Sequence, residues 1–357
     1  MSLKVLHVLD VLRPSGAETC LRVAGSMWGA EGISCDVLAT GDELGPYAVQ
    51  LREAGYRTGH LPLDDMRRFL RSFPRLVRSE GYDVVHIHVE RANFHIALLS
   101  MWAGARVVQH VHNVFDFEGA LRLERTVQRR IVSALGVPFL GVSQDVVDNE
   151  RTRYGIEAEV FLNWADIDRY RPPSDRQRAA ARQALGLDED AFVLASVANC
   201  HDFKNHDVVV RALARLPRDV VWLHVGAGSL LAQEQELAQQ VGVWDRIQFL
   251  GQRDPLPSLH AADAFVMNSL YEGQGISAIE ALAAGLPAVL SDVDGLRNLK
   301  GMDVPAVWCG TDVDTLVDAI EEIRTRPPQG TTDIMLKSFS PHERVPALAA
   351  RYRSVAA

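Results

Sequence analysis

YEGQGISAIEALAAGLPAVLSD, residues 271–292, places two glutamates, Glu272 and Glu280, eight positions apart around a Gly-Gln-Gly loop. The stretch follows AFVMN (264–268), a short apolar run of strand character, and passes into ISAIEALAA, whose spacing is helical. Gly273 and Gly275 let the backbone come close to a ligand. The amides of Gly275, Ile276 and Ser277 then stand at a helix N-terminus without intrahelical partners, which suits a phosphate. Glu280 lies about one turn into the helix, and Glu272 sits before the loop at the C-terminal end of the strand. Gly285 ends the helix and Pro287 prevents its continuation. The pattern fits a ligand with a phosphate in its middle and hydroxyl-rich parts on either side. Taken alone, it fits an ordinary strand–turn–helix connection with two solvated glutamates equally well.

Working outward, short β-branched segments alternate with helical patterns along most of the chain. KVLHVL, CDVLAT, DVVHIH, RVVQHV and PFLGVS read as buried parallel strands in the first half, and FVLASVA, VVWLHVG, IQFLG, AFVMN and AVLSD in the second. Helical stretches lie between them near 17–30, 46–54, 92–102, 120–135, 205–215, 229–241, 256–262, 276–284 and 312–325. Such alternation implies a doubly wound α/β fold, here present twice. The break falls in NWADIDRYRPPSDRQRAA (163–180), which loses apolar periodicity and carries Pro172-Pro173. The expected organisation is residues 1–165 as one Rossmann-like domain and 166–340 as a second, facing each other across a cleft. Residues 341–357 form a last helix that packs back on the first domain.

A chain of 357 residues is long for a single core. A net charge of −9, split as −2 over residues 1–165 and −7 over the rest, argues against a nucleic-acid partner. Two basic runs, RRFLRSFPRLVR (67–78) and RLERTVQRR (122–130), are solvated helix faces or a surface that approaches anionic lipid. MSLKVLHVLDVL reads as a first strand rather than a secretion signal, and no apolar run nears the roughly 20 residues of a membrane span. Cys20, Cys35, Cys200 and Cys309 are scattered without CxxC or a companion His spacing, so reduced, packed thiols in a cytoplasmic protein are expected.

Two further features point toward the same kind of ligand. SVANCHDFKNH (196–206) follows a strand and begins a helix, with Lys204 near the turn, where an ammonium can neutralise a pyrophosphate. PSGAETCL sets Gly16 between the first strand and its helix. Each is weak alone.

Together these residues resemble the family-four retaining glycosyltransferases of the GT-B fold, the glycosyl transferases group 1, along nearly the whole chain. KVLHVLDVLRPSGAE is similar to that family's opening strand and Gly-Gly-Ala-Glu turn, with Ser15 for the first Gly. VVQHVHN matches the strand ending in a cleft-facing His, here His112. GVSQDVVDN, FLNWADIDRYRP, LHVGAGSL, IQFLGQRD and LHAADAFVMNSLYEG follow in the family's order, and the E-x7-E signature is Glu272 and Glu280.

The resemblance implies roles. Glu280 binds the nucleotide ribose. Glu272 and the amides near Gly275, Ile276 and Ser277 hold the donor sugar and phosphates. Lys204 stabilises the diphosphate leaving group, His112 reaches the donor sugar near the reacting centre, and Gly16 lets its loop approach the acceptor or phosphates. Catalysis would rest on His112, Lys204 and Glu272. It would proceed with retention through a short-lived oxocarbenium-like ion pair. Asn199 lies at the donor site where many relatives carry arginine, which removes one positive charge. Trp164 and Gln274 replace the family's usual Gly and Phe, close to the expected cleft.

Asp166/Asp168, Asp292/Asp294 and Asp312/Asp314 read as surface or capping groups rather than metal ligands. His86 and His88, like His110 and His112, alternate along strands and are expected to face opposite sides, so no metal site is expected. GAGSLL is half a dinucleotide fingerprint, and GVSQD lacks a hydrolase elbow's second glycine.

The expectation is a retaining glycosyltransferase. It would move a sugar from a nucleoside diphosphate sugar, UDP-sugar favoured, to a hydroxyl acceptor in bacterial polysaccharide, glycolipid or glycosylated natural-product synthesis. It needs no metal or other cofactor, and its basic run 67–78 admits peripheral contact with the inner face of the membrane. The alternative is a non-catalytic nucleotide-sugar binder on the same fold. A sugar-nucleotide epimerase or a phosphorylase on a similar scaffold lacks a marked site.

Overall fold

The computed structural model describes residues 2–357, which divide into two compact units: residues up to 165 together with 338–357, and residues 166–337. The first unit holds seven strands: β1 (Leu3–Leu9), β2 (Ile33–Ala39), β3 (Arg57–His60), β4 (Val84–Ile87), β5 (Arg106–Val111), β6 (Phe139–Gly141) and β7 (Ala158–Val160). They form one parallel sheet in the order β3-β2-β1-β4-β5-β6-β7. In the register, Val5 stands opposite both Cys35 and Val84. Parallel pairing demands crossover helices, so the sheet is covered on both faces and its inner strands are apolar throughout. Val5 and Leu9 pack with Leu21, Trp28 and Leu51 on one face, while Leu6 and Val8 pack with Phe69, Phe73 and Ile96 on the other.

The second unit holds β8 (Phe192–Val197), β9 (Val220–Val225), β10 (Ile247–Gly251), β11 (Ala264–Met267), β12 (Ala288–Ser291) and β13 (Ala306–Cys309). Its sheet is also wholly parallel, in the order β10-β9-β8-β11-β12-β13. Trp222, Leu194, Val210 and Ile320 lie in one of its cores. These two sheets are the α/β architecture of the GT-B fold.

Three strands went unrecognised in the sequence: β3, β7 and β13. All three are sheet edges of three or four residues, and β3 and β7 are largely exposed. β3 and β7, as exposed edges, bury too little to need an apolar run, whereas β13 does carry one, AVWC, with Val307 and Cys309 buried. The stretch 163–180, read as a linker, is irregular only as far as 174. From Asp175 it is a helix, Asp175–Ala184, started by a capping box between Ser174 and Gln177.

In each sheet the strand order reverses once, between β1 and β4 and between β8 and β11. Connections from the two strands at a reversal leave toward opposite faces, so an opening remains at their C-terminal ends. Within the first unit the last helix, Pro341–Ala356, packs on β4, β5 and the helix Gly16–Ala24. Val345, Leu348, Ala349 and Tyr352 join the apolar core there, and the Tyr352 hydroxyl meets His86 Nδ1 at 2.5 Å. Tyr352→Ala empties a fully buried aromatic site. It should lower the unfolding free energy by roughly 3–5 kcal/mol, seen as a lower denaturant midpoint at unchanged m-value.

Candidate functional site

The reversal in the second unit brings the loops after β8 and β11 side by side. After β8 the chain passes Asn199, half-buried, and turns through a short 3-10 segment, Asp202–Lys204. Asn205 then adopts the left-handed region (φ 58°) and redirects the chain into the helix His206–Leu213. That conformation is costly for most residues but tolerated by Asn. Here two hydrogen bonds fix it, from the Asn205 amide to Asn268 Oδ1 and to the Thr311 carbonyl, each 2.8 Å. The loops are further joined by Leu270 N–H donating to the Phe203 carbonyl at 2.7 Å. Phe203 stacks on Tyr271 and on His201.

This arrangement sets Lys204 Nζ 2.5 Å from Glu272 Oε1, and Ser269 Oγ donates to the same oxygen at 2.7 Å. Glu272 is buried and Lys204 largely so, which makes the pair a charged contact shielded from water. Ser196, Lys204, His206, Met267, Asn268 and Ser269 line the crevice between the strand ends.

Immediately beyond Glu272, Gly275 takes φ +66° and starts the helix Ile276–Ala283, with no side chain capping it. A Cβ at Gly275 would meet Leu296 Cδ2 at 2.4 Å, so the position excludes larger residues twice over. Gly295, at φ +83°, lets the next loop press on Glu272, since a Cβ there would lie 2.1 Å from the Glu272 carbonyl oxygen. Glu280 is the fifth residue of the helix and is buried. The structure therefore gathers Asn199, Lys204, Glu272, Gly275, Ile276, Ser277 and Glu280 on two adjoining loops and one helix.

One placement differs from expectation: Glu272 lies five residues beyond the end of β11, inside the loop, rather than at the strand end. Lys204 lies in the turn before the helix, here a 3-10 turn. Asn205, Asn268 and Ser269, which hold the pair in place, went unremarked. Lys-Asn-His after a strand was their one signal, since Asn before a helix start suits a left-handed turn.

Gly16 and His112 belong to the first unit. Gly16 is the first residue of the helix Gly16–Ala24, just after Ser15, whose hydroxyl donates to the Glu18 carboxylate. Glu18 is buried, and burial raises its pKa to about 7. His112 follows β5 and is half-buried.

The histidines on neighbouring strands correct an expectation. His86 and His88 do not diverge, nor do His110 and His112: their ring centroids lie 4.1 and 4.4 Å apart. Successive strand residues alternate between faces, so residues two apart share one, and His86 with His88 and His110 with His112 stand on the same side as that period requires. A hydrogen-bonded chain results, His7 Nδ1 to His88 Nε2 at 3.0 Å and His88 Nδ1 to His112 Nε2 at 2.9 Å. His7 with His86 and His88, and His88 with His110 and His112, each bring three nitrogens close enough to share an ion.

The Asp-x-Asp triplets engage cations or backbone. Asp292 and Asp294 pair with Arg297, Asp168 pairs with Arg171, and Asp312 caps the helix Val313–Thr325. All four cysteines are buried thiols outside any disulfide. Cys200 does have companions, since His206, His224 and Glu234 surround it. They come from four separate segments, so no local spacing announced them.

Comparison with known proteins bears on both units. The family model described as Glycosyl transferases group 1 matches residues 177–331, and that described as Glycosyltransferase Family 4 matches residues 14–169. The D-inositol 3-phosphate glycosyltransferase of Kribbella flavida is 31% identical over 301 residues, covering 74% of this chain and 68% of its own length. EpsF of Bacillus subtilis (strain 168) is 27% identical over 341 residues, 86% of each chain. Among solved structures, Anabaena Alr3699/HepE in complex with UDP and glucose superimposes with a TM-score of 0.75 at 19% identity, over 99% of this chain and 97% of that one. No helix among the described residues is long and apolar enough to cross a membrane.

The buried histidines of the first unit set an acid limit on stability. Burial, reinforced in most of them by the neighbouring rings, lowers His7 to about 3 and His110 to about 4, and holds His86, His88 and His112 well below the ordinary value. Below pH 6.5 the unfolded chain takes up protons that the folded chain refuses, so stability falls as pH falls. Each histidine contributes a slope approaching roughly 1.4 kcal/mol per pH unit. Glu18 works the other way between about 4.5 and 7, but it supplies one proton against five sites. Urea midpoints at pH 7.5, 6.5 and 5.5 should drop steeply over the last interval. A flat profile would mean that the rings are protonated in the fold.

Proposed function

We propose a donor and a reaction for this chain, which belongs to the group 1 glycosyltransferases, the family-four enzymes of the GT-B fold. The donor is a nucleoside diphosphate sugar, UDP-linked, and the reaction moves its sugar to a hydroxyl acceptor with retention of anomeric configuration. One observation carries this reading: a shielded Lys204–Glu272 pair beside the uncapped N-terminus of a helix, at the strand-order reversal of the second sheet. A diphosphate entering there would take the Lys204 ammonium as its counter-charge and the amides from Gly275 to Ser277 as hydrogen-bond donors. Glu272, released from the lysine, would turn to the sugar hydroxyls, and Glu280, one turn along, to the ribose.

In the reaction the bond between the anomeric carbon and the phosphate oxygen breaks, and the electron pair leaves on the nucleoside diphosphate. The acceptor oxygen attacks the same face, and its proton goes to the departing phosphate. Lys204 stabilises the charge that grows on that phosphate, a preorganised electrostatic contribution. Asn199 adds no charge of its own, so Lys204 carries this task without a neighbouring arginine at that position. His112 is neutral and would act through hydrogen bonding rather than charge. UDP and glucose in the HepE complex, and the sugar-transfer activity named for the Kribbella relative, support a sugar nucleotide as donor.

Partner surfaces in the first unit support a peripheral role at an anionic membrane, where a lipid-linked acceptor would be met. The helix Met66–Glu80 exposes Arg67, Arg68, Arg71, Arg75 and Arg78, and the helix Gly119–Ala134 exposes Leu121, Leu123, Val127 and Ile131. The helix Asn93–Trp102 packs against both, and the exposed Trp102 lies under the Arg78 guanidinium at 4.0 Å. Arginines beside exposed aliphatic and indole groups suit a headgroup boundary.

Two expected outcomes follow. UDP at a hundred times its dissociation constant should stabilise the protein by about 2.7 kcal/mol, read as a raised unfolding temperature. Lys204→Ala should abolish that shift, and both Lys204→Ala and Glu272→Gln should reduce sugar transfer by roughly 100-fold or more. The donor reading fails if no nucleotide diphosphate shifts the transition. Separately, the protein should co-sediment with phosphatidylglycerol vesicles and not with phosphatidylcholine vesicles. Charge reversal at Arg67, Arg71 and Arg75 together should cut the bound fraction several-fold, and equal binding to both vesicles would reject an electrostatic membrane contact.

A further inference from the structure

Four buried side chains in the second unit converge without taking part in the chemistry above. Cys200 lies in the loop after β8, His206 is the first residue of the helix His206–Leu213, His224 sits near the end of β9, and Glu234 lies in the helix Leu231–Gln240. Cys200 and His224 are fully buried, and His206 and Glu234 are exposed by 5% and 4%. One ligand atom from each lies within 4.8 Å of all the others.

We propose that these four residues form a closed, structural zinc site. Cys200 Sγ is 3.2 Å from His224 Nε2, His206 Nδ1 is 3.0 Å from Glu234 Oε1, and His224 Nε2 is 3.9 Å from Glu234 Oε2. Tetrahedral bonds of 2.0–2.3 Å separate neighbouring ligand atoms by about 3.3–3.6 Å, so the cluster needs only small adjustments to enclose an ion. The donor set also balances charge. One thiolate and one carboxylate offset a divalent cation, and two neutral imidazoles complete the shell. Mixed nitrogen, sulfur and oxygen donors in a four-fold set select zinc over magnesium or calcium, which prefer oxygen alone. With all four positions filled by protein, the ion would have no open place for substrate, as in structural sites.

Two details distinguish this cluster from ordinary packed polar residues. Glu234 Oε2 is buried without a hydrogen bond of ordinary geometry, the Cys200 thiol interacts with the carboxylate, and its ion-pair partners among the described residues are the two histidines, with no lysine or arginine. A buried carboxylate oxygen left in this way is costly, and an ion bound to it removes the cost. His224 is also oriented from behind. Its Nδ1 lies 3.1 Å from Ser196 Oγ, which accepts a hydrogen bond from Trp222 Nε1 at 2.9 Å. Ser196 Oγ has two lone pairs and can accept from both rings, leaving the His224 Nε2 lone pair aimed into the cluster. Metal-binding histidines are commonly held by such an outer partner. On binding, the Cys200 thiol proton is released to solvent as the sulfur–zinc bond forms.

The ion would tie Cys200, four residues ahead of Lys204, to β9 and to the helix behind it. It would thereby fix the loop that carries Asn199 and Lys204. The assignment stands whether or not the proposed donor is correct.

The test begins with protein expressed with added zinc, purified without chelator and analysed by plasma mass spectrometry, where close to one zinc per chain is expected. Chelator-stripped protein should then bind Co(II) with the intense visible bands of a tetrahedral ion and a thiolate-to-cobalt charge-transfer band. Cys200→Ser should lose the charge-transfer band, Glu234→Gln should weaken Co(II) and Zn(II) binding at least ten-fold, and Cys309→Ser should change neither. Zn(II) should raise the unfolding temperature of the stripped wild-type protein. Metal-free protein that shows no Co(II) charge-transfer band and no thermal response to Zn(II) overturns the proposal. So does a charge-transfer band that survives in Cys200→Ser. A variant that does not fold leaves the wild-type stoichiometry and spectrum to decide.

Discussion

An open parallel sheet covered by helices on both faces must reverse its strand order somewhere, and at that place the fold leaves its own strand ends uncovered. In the second unit the change falls between β8 and β11. Everything assigned to the donor site follows from it. The loop after β8 and the loop after β11 start from neighbouring strands, yet their helices pass to opposite faces. The space between them is lined by backbone and by short polar side chains that must find partners there. Asn205 bonds Asn268 and the Thr311 carbonyl, and Leu270 bonds Phe203, because no regular ladder extends that far.

The Lys204–Glu272 pair is the electrostatic outcome of that packing. A buried ion pair gains little net stability, since desolvation of both charges offsets their attraction. Its value lies in holding a cation and an anion at fixed positions with little water between. An incoming diphosphate can replace the carboxylate at the lysine without the site first being emptied of a hydration shell. The carboxylate loses one partner but keeps Ser269. Exchange of one anion for another costs less reorganisation than creation of a charged site would.

The second half of the chain was the more readable because its candidate site residues form local patterns. Glu272, Gly275 and Glu280 lie within nine residues, and a glycine at φ +66° before an apolar helix leaves a plain mark in the sequence. Inner strands were legible for a related reason: burial on both faces forces runs such as FVLASV. Edge strands β3 and β7 bury little and left none, and β13, although apolar, is only four residues long. Contacts that depend on several segments were invisible. The partnership of Lys204 with Glu272 spans 68 positions and that of Cys200 with His224 spans 24. The histidine pairs misled for a different reason. Period-two alternation sends adjacent residues to opposite faces and residues two apart to the same one, so His86/His88 and His110/His112 were bound to meet, and the expectation that they diverge misapplied the period.

The loop from Asn199 to His206 must combine two demands that usually conflict. It has to stay open at a strand end, where regular hydrogen bonding stops, and yet hold the Lys204 ammonium against Glu272. Asn205 supplies one fixed point at its C-terminal end, on the side of β11 and β13. Cys200 and His206, facing His224 and Glu234, supply others on the side of β9. Lys204 sits between these anchors, so the segment is pinned on both flanks while its centre faces the crevice. A loop pinned in this way has little conformational entropy left to lose when a ligand arrives, which is the physical meaning of preorganisation. Pinning on both flanks also keeps the Lys204 ammonium and the Glu272 carboxylate against one another without a further cation at Asn199.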